Sequence, residues 1–508
     1  MTTLTTTWWT DRRVRWSVLV AAVLLVAYVE LLWVDAFPWG HLHTGDTNHL
    51  VEGARTALDC IGDGVWIGCG HVDGNPNSGV FHYSMLQYIP AALFLALGAS
   101  EAATLELLAR MSVVAFAGCF LLMWYALRQQ PRLAALGCLA LLGSAATYHA
   151  TSSFSEMLAG TLFLAAIVAA YTRRPILILL VFWAATLGKE TFPPFLLMFG
   201  VLAGRDEEDG LLPPFRTLLS IMGGVGLGVV SFTAFNFFRF SSPWNLTSIQ
   251  PEFRTPTWGL RFEFLAGQWF SPAAGIVWFW PIAAVLLFAT LVITCRRLAS
   301  GHRLPLTWLP LTALVVGLVG FTAGLSMWFA PFGWIAYGPR LAAPVLPAAI
   351  LLALRMAGPE LTRLVAAAGR NLVVVLAIWL ATTVAIWPQL GNPWAWLTGV
   401  GSLTTPVTDC DDSVSIYEGD HYYDCVTNAM WRTSPWVVGD VARSREHGAT
   451  KGRIVGALAA TALLAVVLTP EPALRGRRTS GLVNVTGSTG NYEGPDAKTR
   501  PSAGSSST

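Results

Sequence analysis

Residues 16–34 read Trp16-Ser-Val-Leu-Val-Ala-Ala-Val-Leu-Leu-Val-Ala-Tyr-Val-Glu-Leu-Leu-Trp-Val34, an apolar run with one charge, Glu30. The hydrocarbon core of a bilayer asks for about 20 such residues, so this run is long enough to span. Asp11-Arg12-Arg13-Val14-Arg15 stands directly before it. That basic flank places the N-terminus in the cytoplasm. No small-residue cleavage pattern follows, so the run reads as a retained signal anchor. Uncharged stretches of similar character recur as far as Pro470. Apolar residues make up 54% of the chain and charged residues only 12%, where an ordinary globular chain carries about 25% charged. A lipid-exposed span must satisfy its backbone internally. The expected fold is therefore an all-α polytopic membrane protein. The formal charge of +2 is nearly balanced, and no nucleic-acid partner is expected.

The placement of arginines sets a topology. After Val34 the chain is polar and turn-rich to about Gly79, and residues 35–104 read as a long first outer loop with interfacial helices. Ser84 to Gly98 is apolar but about fifteen residues long, with Pro90 inside. It reads as an interfacial or re-entrant helix, because a crossing there would turn the Arg128–Arg132 cluster outward. The expected spans are then 16–34, 105–127, 133–150, 155–171, 175–188, 193–204, 218–238, 272–294, 306–323, 341–354, 372–386 and 454–468. That gives about twelve spans with both termini cytoplasmic, in the plasma membrane. Residues 1–15 form a short inner segment, 16–354 a first transmembrane module, and 355–470 further spans with an outer loop over 388–451. The Ser-, Gly- and Pro-rich tail, 471–508, cannot bury a core and is expected to be disordered.

Cysteines agree with this sidedness. Cys60 and Cys69 fall in the first outer loop, Cys410 and Cys425 in the last. Two short-range disulfides are expected in an oxidising compartment. Neither pair has the spacing of a zinc site.

Ionisable residues collect at the outer ends of spans. Asp46 follows the first span, in His43-Thr-Gly-Asp-Thr-Asn-His49, and Glu156 opens another, in Ser152-Ser-Phe-Ser-Glu156. Lys189-Glu190 sits at the apex of a tight hairpin, Arg239 ends a span, and Arg340 opens one in Tyr337-Gly-Pro-Arg340. Charges recessed there need partners or ligands. Lys189 and Glu190 could simply pair with each other, Arg239 could snorkel, and Asp46 or Glu156 could serve only as a helix N-terminal acid.

Five stretches, taken in order, carry a resemblance. They are Gly45-Asp46, then Phe154-Ser-Glu-Met-Leu-Ala159, then Leu187-Gly-Lys-Glu-Thr191 followed by a proline-containing span. Asn236-Phe-Phe-Arg-Phe-Ser-Ser-Pro243 with Phe270-Ser-Pro-Ala-Ala-Gly275 is the fourth, and Tyr337-Gly-Pro-Arg340 with Pro344 and Pro347 the fifth. Over about Trp16 to Leu354 the chain resembles the bacterial branch of the glycosyltransferase C-fold superfamily, polytopic enzymes that use polyprenyl-phosphate sugars. Beyond Leu354 only a general multi-span pattern is shared.

The resemblance implies transfer of a hexosyl or pentosyl group from a polyprenyl-phosphate donor to an acceptor hydroxyl at the extracytoplasmic face, in cell-wall or glycan biosynthesis. It implies Asp46 as general base, Glu156 as a second acid that orients acceptor or sugar, and Arg340, Lys189 and Arg239 on the leaving phosphate. His49, Glu52, Glu190 and Tyr337 are accessory candidates. One base and no nucleophile pair point to inversion. No cofactor is expected to be required, and no metal-ligand spacing is present. A divalent ion near Asp46, His49, Glu52 and Glu156 is the alternative. The acceptor is a glycan, a lipid or a protein. Two readings compete: a flippase or transporter of a lipid-linked substrate, and a non-catalytic assembly subunit. A transporter site belongs near mid-membrane, where the sequence shows no comparable charge.

Overall fold

Proline, glycine and arginine punctuate the apolar runs, and the helices start and stop at them. The computed structural model describes residues 12–34, 46–69, 84–150, 155–205, 212–245, 254–271, 275–299, 305–328, 340–386, 420–431 and 449–469. The helices in order are α1 (Arg12–Val34), α2 (Asp46–Gly62), α3 (Met85–Ala96), α4 (Glu101–Ala126), α5 (Pro131–Leu142), α6 (Ala146–His149) and α7 (Glu156–Thr172). Then come α8 (Pro175–Thr186), α9 (Pro193–Gly204), α10 (Phe215–Phe240), α11 (Trp258–Phe270), α12 (Ile276–Phe279) and α13 (Pro281–Ala299). The last six are α14 (Pro305–Ser326), α15 (Leu346–Met356), α16 (Gly358–Ala368), α17 (Leu372–Ile386), α18 (Asp420–Trp431) and α19 (Ala449–Leu468). Extended pairing among the described residues is one antiparallel bridge, Arg254 with Trp328. The fold is all-α.

Prolines open α5, α8, α9 and α15 in their first turns, where a missing N–H costs nothing. Three expected spans are broken. The run 133–150 splits at Gly143-Ser144-Ala145 into α5 and α6, and 272–294 splits at Trp280 before Pro281. The run from Leu341 stays a series of turns until α15 begins at Leu346, since Pro344 removes a helix donor.

Three helices are buried almost all round. Every residue of α5 is buried, as are Leu346 to Leu354 of α15 and most of α7. They form the centre, hydrophobic on every face. Around them, α4, α13, α15, α17 and α19 pack on α5, while α4, α8, α9 and α15 pack on α7. Outside these, α1 lies on α19 and α4, and α10 on α8 and α9.

Residues 15–34, α4 and α10 are long and apolar enough to cross a bilayer. Leu19, Val23 and Val26 on α1 and Leu219, Met222 and Val230 on α10 are exposed. Apolar rows of that extent face lipid, so the chain is a multi-pass membrane protein. Nine further apolar helices among the described residues are shorter, and the expected count of about twelve spans rests on them. α3 has 12 residues and is about 18 Å long, as are α5, α8 and α9.

α2 and α3 pack on each other and share a satellite core of Leu50, Ala54, Ala57, Tyr88, Ala91, Leu108 and Phe240. A disulfide joins Cys60 to Cys69, as the sequence led us to expect. Cys410, the side chain of Cys425, Tyr337 and the tail 471–508 lie outside the described residues. Closing a loop of this size removes about 2–3 kcal/mol of unfolded-state entropy. Replacing both cysteines with serine should therefore lower the melting temperature in detergent by several degrees, without changing helix content by circular dichroism.

Candidate active site

α7 begins with Glu156, an acid in the helix's first turn, where the dipole favours it. Positions 156, 159, 160 and 163 share one helical face. Near the carboxylate that face is small. A Cβ on Gly160 would stand 3.1 Å from Pro344 Cα, and one on Gly188 would stand 3.2 Å from Ala159 Cβ. Two turns along, Phe163 meets the rings of Phe192 and Phe199 edge-on, at 5.2 and 5.9 Å between centroids. The small pair lets two loops approach: the 340–345 turn before α15 and the 187–192 apex between α8 and α9.

Each loop brings a cation. Arg340 Nε donates to Glu156 Oε1 at 2.8 Å. Lys189 Nζ lies 4.0 Å from the same oxygen. Glu156 and Arg340 are buried, whereas the Lys189 side chain keeps 19% of its surface exposed. Among the described residues, Glu156 Oε2 has no hydrogen-bond partner. His149, the buried last residue of α6, also acts electrostatically on Glu156. Arg340 and Lys189 thus converge on one carboxylate oxygen. Lys189 stands on a loop, outside either flanking helix. Burial lowers its ammonium to about 8; Glu156 pulls it back upward and Arg340 pushes it further down.

Lys189 and Glu190 do not pair with each other. Glu190 instead meets Arg239, which is fully buried near the end of α10. Arg239 Nε donates to Asn236 Oδ1 at 3.0 Å, and Asn245 Nδ2 donates to Glu190 Oε2 at 3.1 Å. Asn236 Nδ2 donates in turn to the Pro243 carbonyl at 3.0 Å. The guanidinium lies 4.7 Å from the ring centroids of both Phe235 and Phe240.

Of the residues picked from the sequence, Glu156, Arg340 and Lys189 therefore meet at one point, and Glu190 and Arg239 form the neighbouring pair. Asp46 and His49 lie in the first turn of α2, with side chains outside the described residues. Glu52 is exposed on α2. No group of three His, Cys, Asp or Glu suited to a metal is assembled among the described residues. His149 and Asn245 were not singled out from the sequence, and Asn236 stood in a quoted stretch without a role. Asn236 carried a signal, since it stands three residues before Arg239 on the same helix. His149 and Asn245 carried none.

A small apolar cavity lies beside the cluster. Leu50 of α2, Leu86 and Pro90 of α3, Leu108 and Met111 of α4 and Leu158 of α7 wall it, with Gln87, Ser112 and Ser155 as polar members. Ser155 is the neighbour of Glu156. Leu50 stands four residues after Asp46 on α2.

No protein-family model matches the chain, and no curated protein matches it in sequence. Among solved structures it is similar to the crystal structure of ArnT from Cupriavidus metallidurans bound to undecaprenyl phosphate. That likeness has 14% identity and a TM-score of 0.41, and covers 89% of this chain and 77% of that one. Against the apo state of the same protein the figures are 17%, 0.42, 89% and 76%. Likeness at that level does not assign an activity.

Removing one partner of a buried ion pair strands the other and typically costs about 3–5 kcal/mol. Glu156→Leu should accordingly destabilise the purified protein, read as a clear fall in melting temperature. Gly160→Val should do the same by driving a side chain into Pro344. A melting temperature unchanged in either variant would contradict the packing described.

Proposed function

We propose that the protein is a membrane glycosyltransferase. It moves a sugar from a polyprenyl-phosphate donor to an acceptor hydroxyl at the extracytoplasmic face. The observation that carries this reading is the Glu156, Arg340 and Lys189 cluster, two cations converging on one carboxylate beside a small apolar cavity. A lipid phosphate presents the complementary pair, an anionic head and a hydrocarbon tail. Arg340 and Lys189 bind the phosphate, whose charge grows as the glycosidic bond breaks. Glu156 holds Arg340 in place. The tail enters at the apolar seam between α2, α3, α4 and α7.

Asp46 is the general base. It takes the acceptor proton as the new bond forms, and inversion follows because one carboxylate acts alone. The reading includes about twelve spans with both termini cytoplasmic, which puts the first turns of α2 and α7 on the outer face. A flippase of lipid-linked substrate would use the same phosphate site, but it has no need of a base at Asp46.

The test is a transfer assay in membranes with a panel of labelled polyprenyl-phosphate sugars. Asp46→Asn should abolish transfer and retain donor binding, whereas a flippase or assembly subunit would show no transfer from any donor in the wild type. Arg340→Lys keeps the charge and loses the planar fork, so donor binding should weaken by roughly tenfold, the equivalent of about 1.4 kcal/mol. Unchanged affinity would remove Arg340 from the phosphate site.

The pH dependence follows from Lys189. Its ammonium is charged below about 8 and neutral above. A bound phosphate favours the charged form and moves the midpoint upward. Binding of decaprenyl phosphate should be strong at pH 7 and weaken as pH rises through and beyond 8. Lys189→Met should bind more weakly at pH 7 and lose that dependence.

A further inference from the structure

The loop that follows α2 is built to be exposed. Its tip, Val65-Trp66-Ile67, has 40%, 65% and 65% of its surface free, and Ile61 is 45% exposed. Gly64 and Gly68 on either side both hold φ +74, a left-handed conformation that side chains disfavour. The tip therefore enters and leaves through two glycine turns. Cys60 and Cys69 clamp its base, and Cys69 itself is buried in the satellite core between α2 and α3.

The loop's height is fixed by α10. The Gly68 and Cys69 amides donate to the Phe237 and Phe238 carbonyls at 3.1 and 2.7 Å. These belong to the last turn of α10, and the Phe237 carbonyl also accepts from the Ser241 amide at 3.0 Å. α10 has 26 residues and spans about 39 Å, against a hydrocarbon core of about 30 Å. Its last turn thus stands at the boundary between acyl chains and headgroups. Phe237 is itself 40% exposed, so the tip is continuous with the lipid-facing surface of α10.

We propose that Val65-Trp66-Ile67 is a disulfide-presented membrane anchor, which inserts into the outer interface of the bilayer beside the end of α10. Tryptophan favours that boundary, with its ring among acyl chains and its N–H toward water. Asp59 and Asp63 are exposed close by. Attraction to anionic headgroups is therefore not the driving force, and a zwitterionic lipid suffices. Anchored there, α2 is held against the membrane at its C-terminal end. This inference is independent of the sugar-transfer reading.

The test uses the full chain in phosphatidylcholine nanodiscs. An environment-sensitive fluorescent amino acid replaces Trp66 and, in a second sample, Ile67, both exposed positions that tolerate a side chain of that size. Quenching by phosphatidylcholine carrying a doxyl group high on its acyl chain is compared with quenching by aqueous iodide. Lipid quenching several-fold stronger than iodide quenching at both positions is expected. Iodide quenching equal to or stronger than lipid quenching overturns the proposal. So does protection from both quenchers, which would mean that a second copy or another protein covers the tip. Neither outcome bears on whether the protein transfers a sugar.

Discussion

The ion pair between Glu156 and Arg340 joins residues 184 apart in the chain. Taking two such charges out of water costs several kcal/mol per ion. The cost is tolerable only where each ion meets the other in good geometry, so the pair acts as a registration device. It fixes the first turn of α7 against the turn that leads into α15. Both helices are buried along most of their length, and a shift of either would separate the charges. The small face of α7 is the steric counterpart. Gly160 leaves Pro344, four residues past Arg340, room to pack directly on α7.

The hairpin apex works by contrast between neighbours. Lys189 and Glu190 are adjacent in sequence yet serve different partners. Had they paired with each other, Glu156 and Arg340 would form a neutral unit and Arg239 would be left buried without a carboxylate. The crosswise arrangement avoids that. Glu190 meets Arg239 against α10, and Lys189 lies beside Glu156 and Arg340.

Much of this was legible in the sequence, and the boundary is physical. Apolar runs of bilayer length and arginine placement are local signals, so most helices were found within a few residues. Spans containing Gly143, Trp280 or Pro344 were read too long, because a hydrophobic run conceals a break when the broken helix stays buried. The Cys60–Cys69 pair was readable from spacing and compartment. Glu156, Lys189 and Arg340 were readable as recessed charges at span ends. Which carboxylate meets which cation was not, since partners dozens of residues or more apart are chosen by packing. His149 and Asn245 were invisible for the same reason: each is an ordinary residue until the fold places it beside a charge.

The geometry also divides labour between the two acids of the proposed reaction. Oε1 of Glu156 is committed to Arg340 and lies near Lys189. A carboxylate so engaged orients cations well. The proposed reaction assigns proton transfer to a carboxylate on another element. Asp46 opens α2, and Leu50, one turn further along that helix, faces the same cavity as Ser155. The cavity thus links the helix that starts with the proposed base to the residue beside the proposed phosphate clamp. A donor whose phosphate sat at the proposed clamp would present its sugar between the two helix starts, with the leaving phosphate toward α7 and the attacking hydroxyl toward α2.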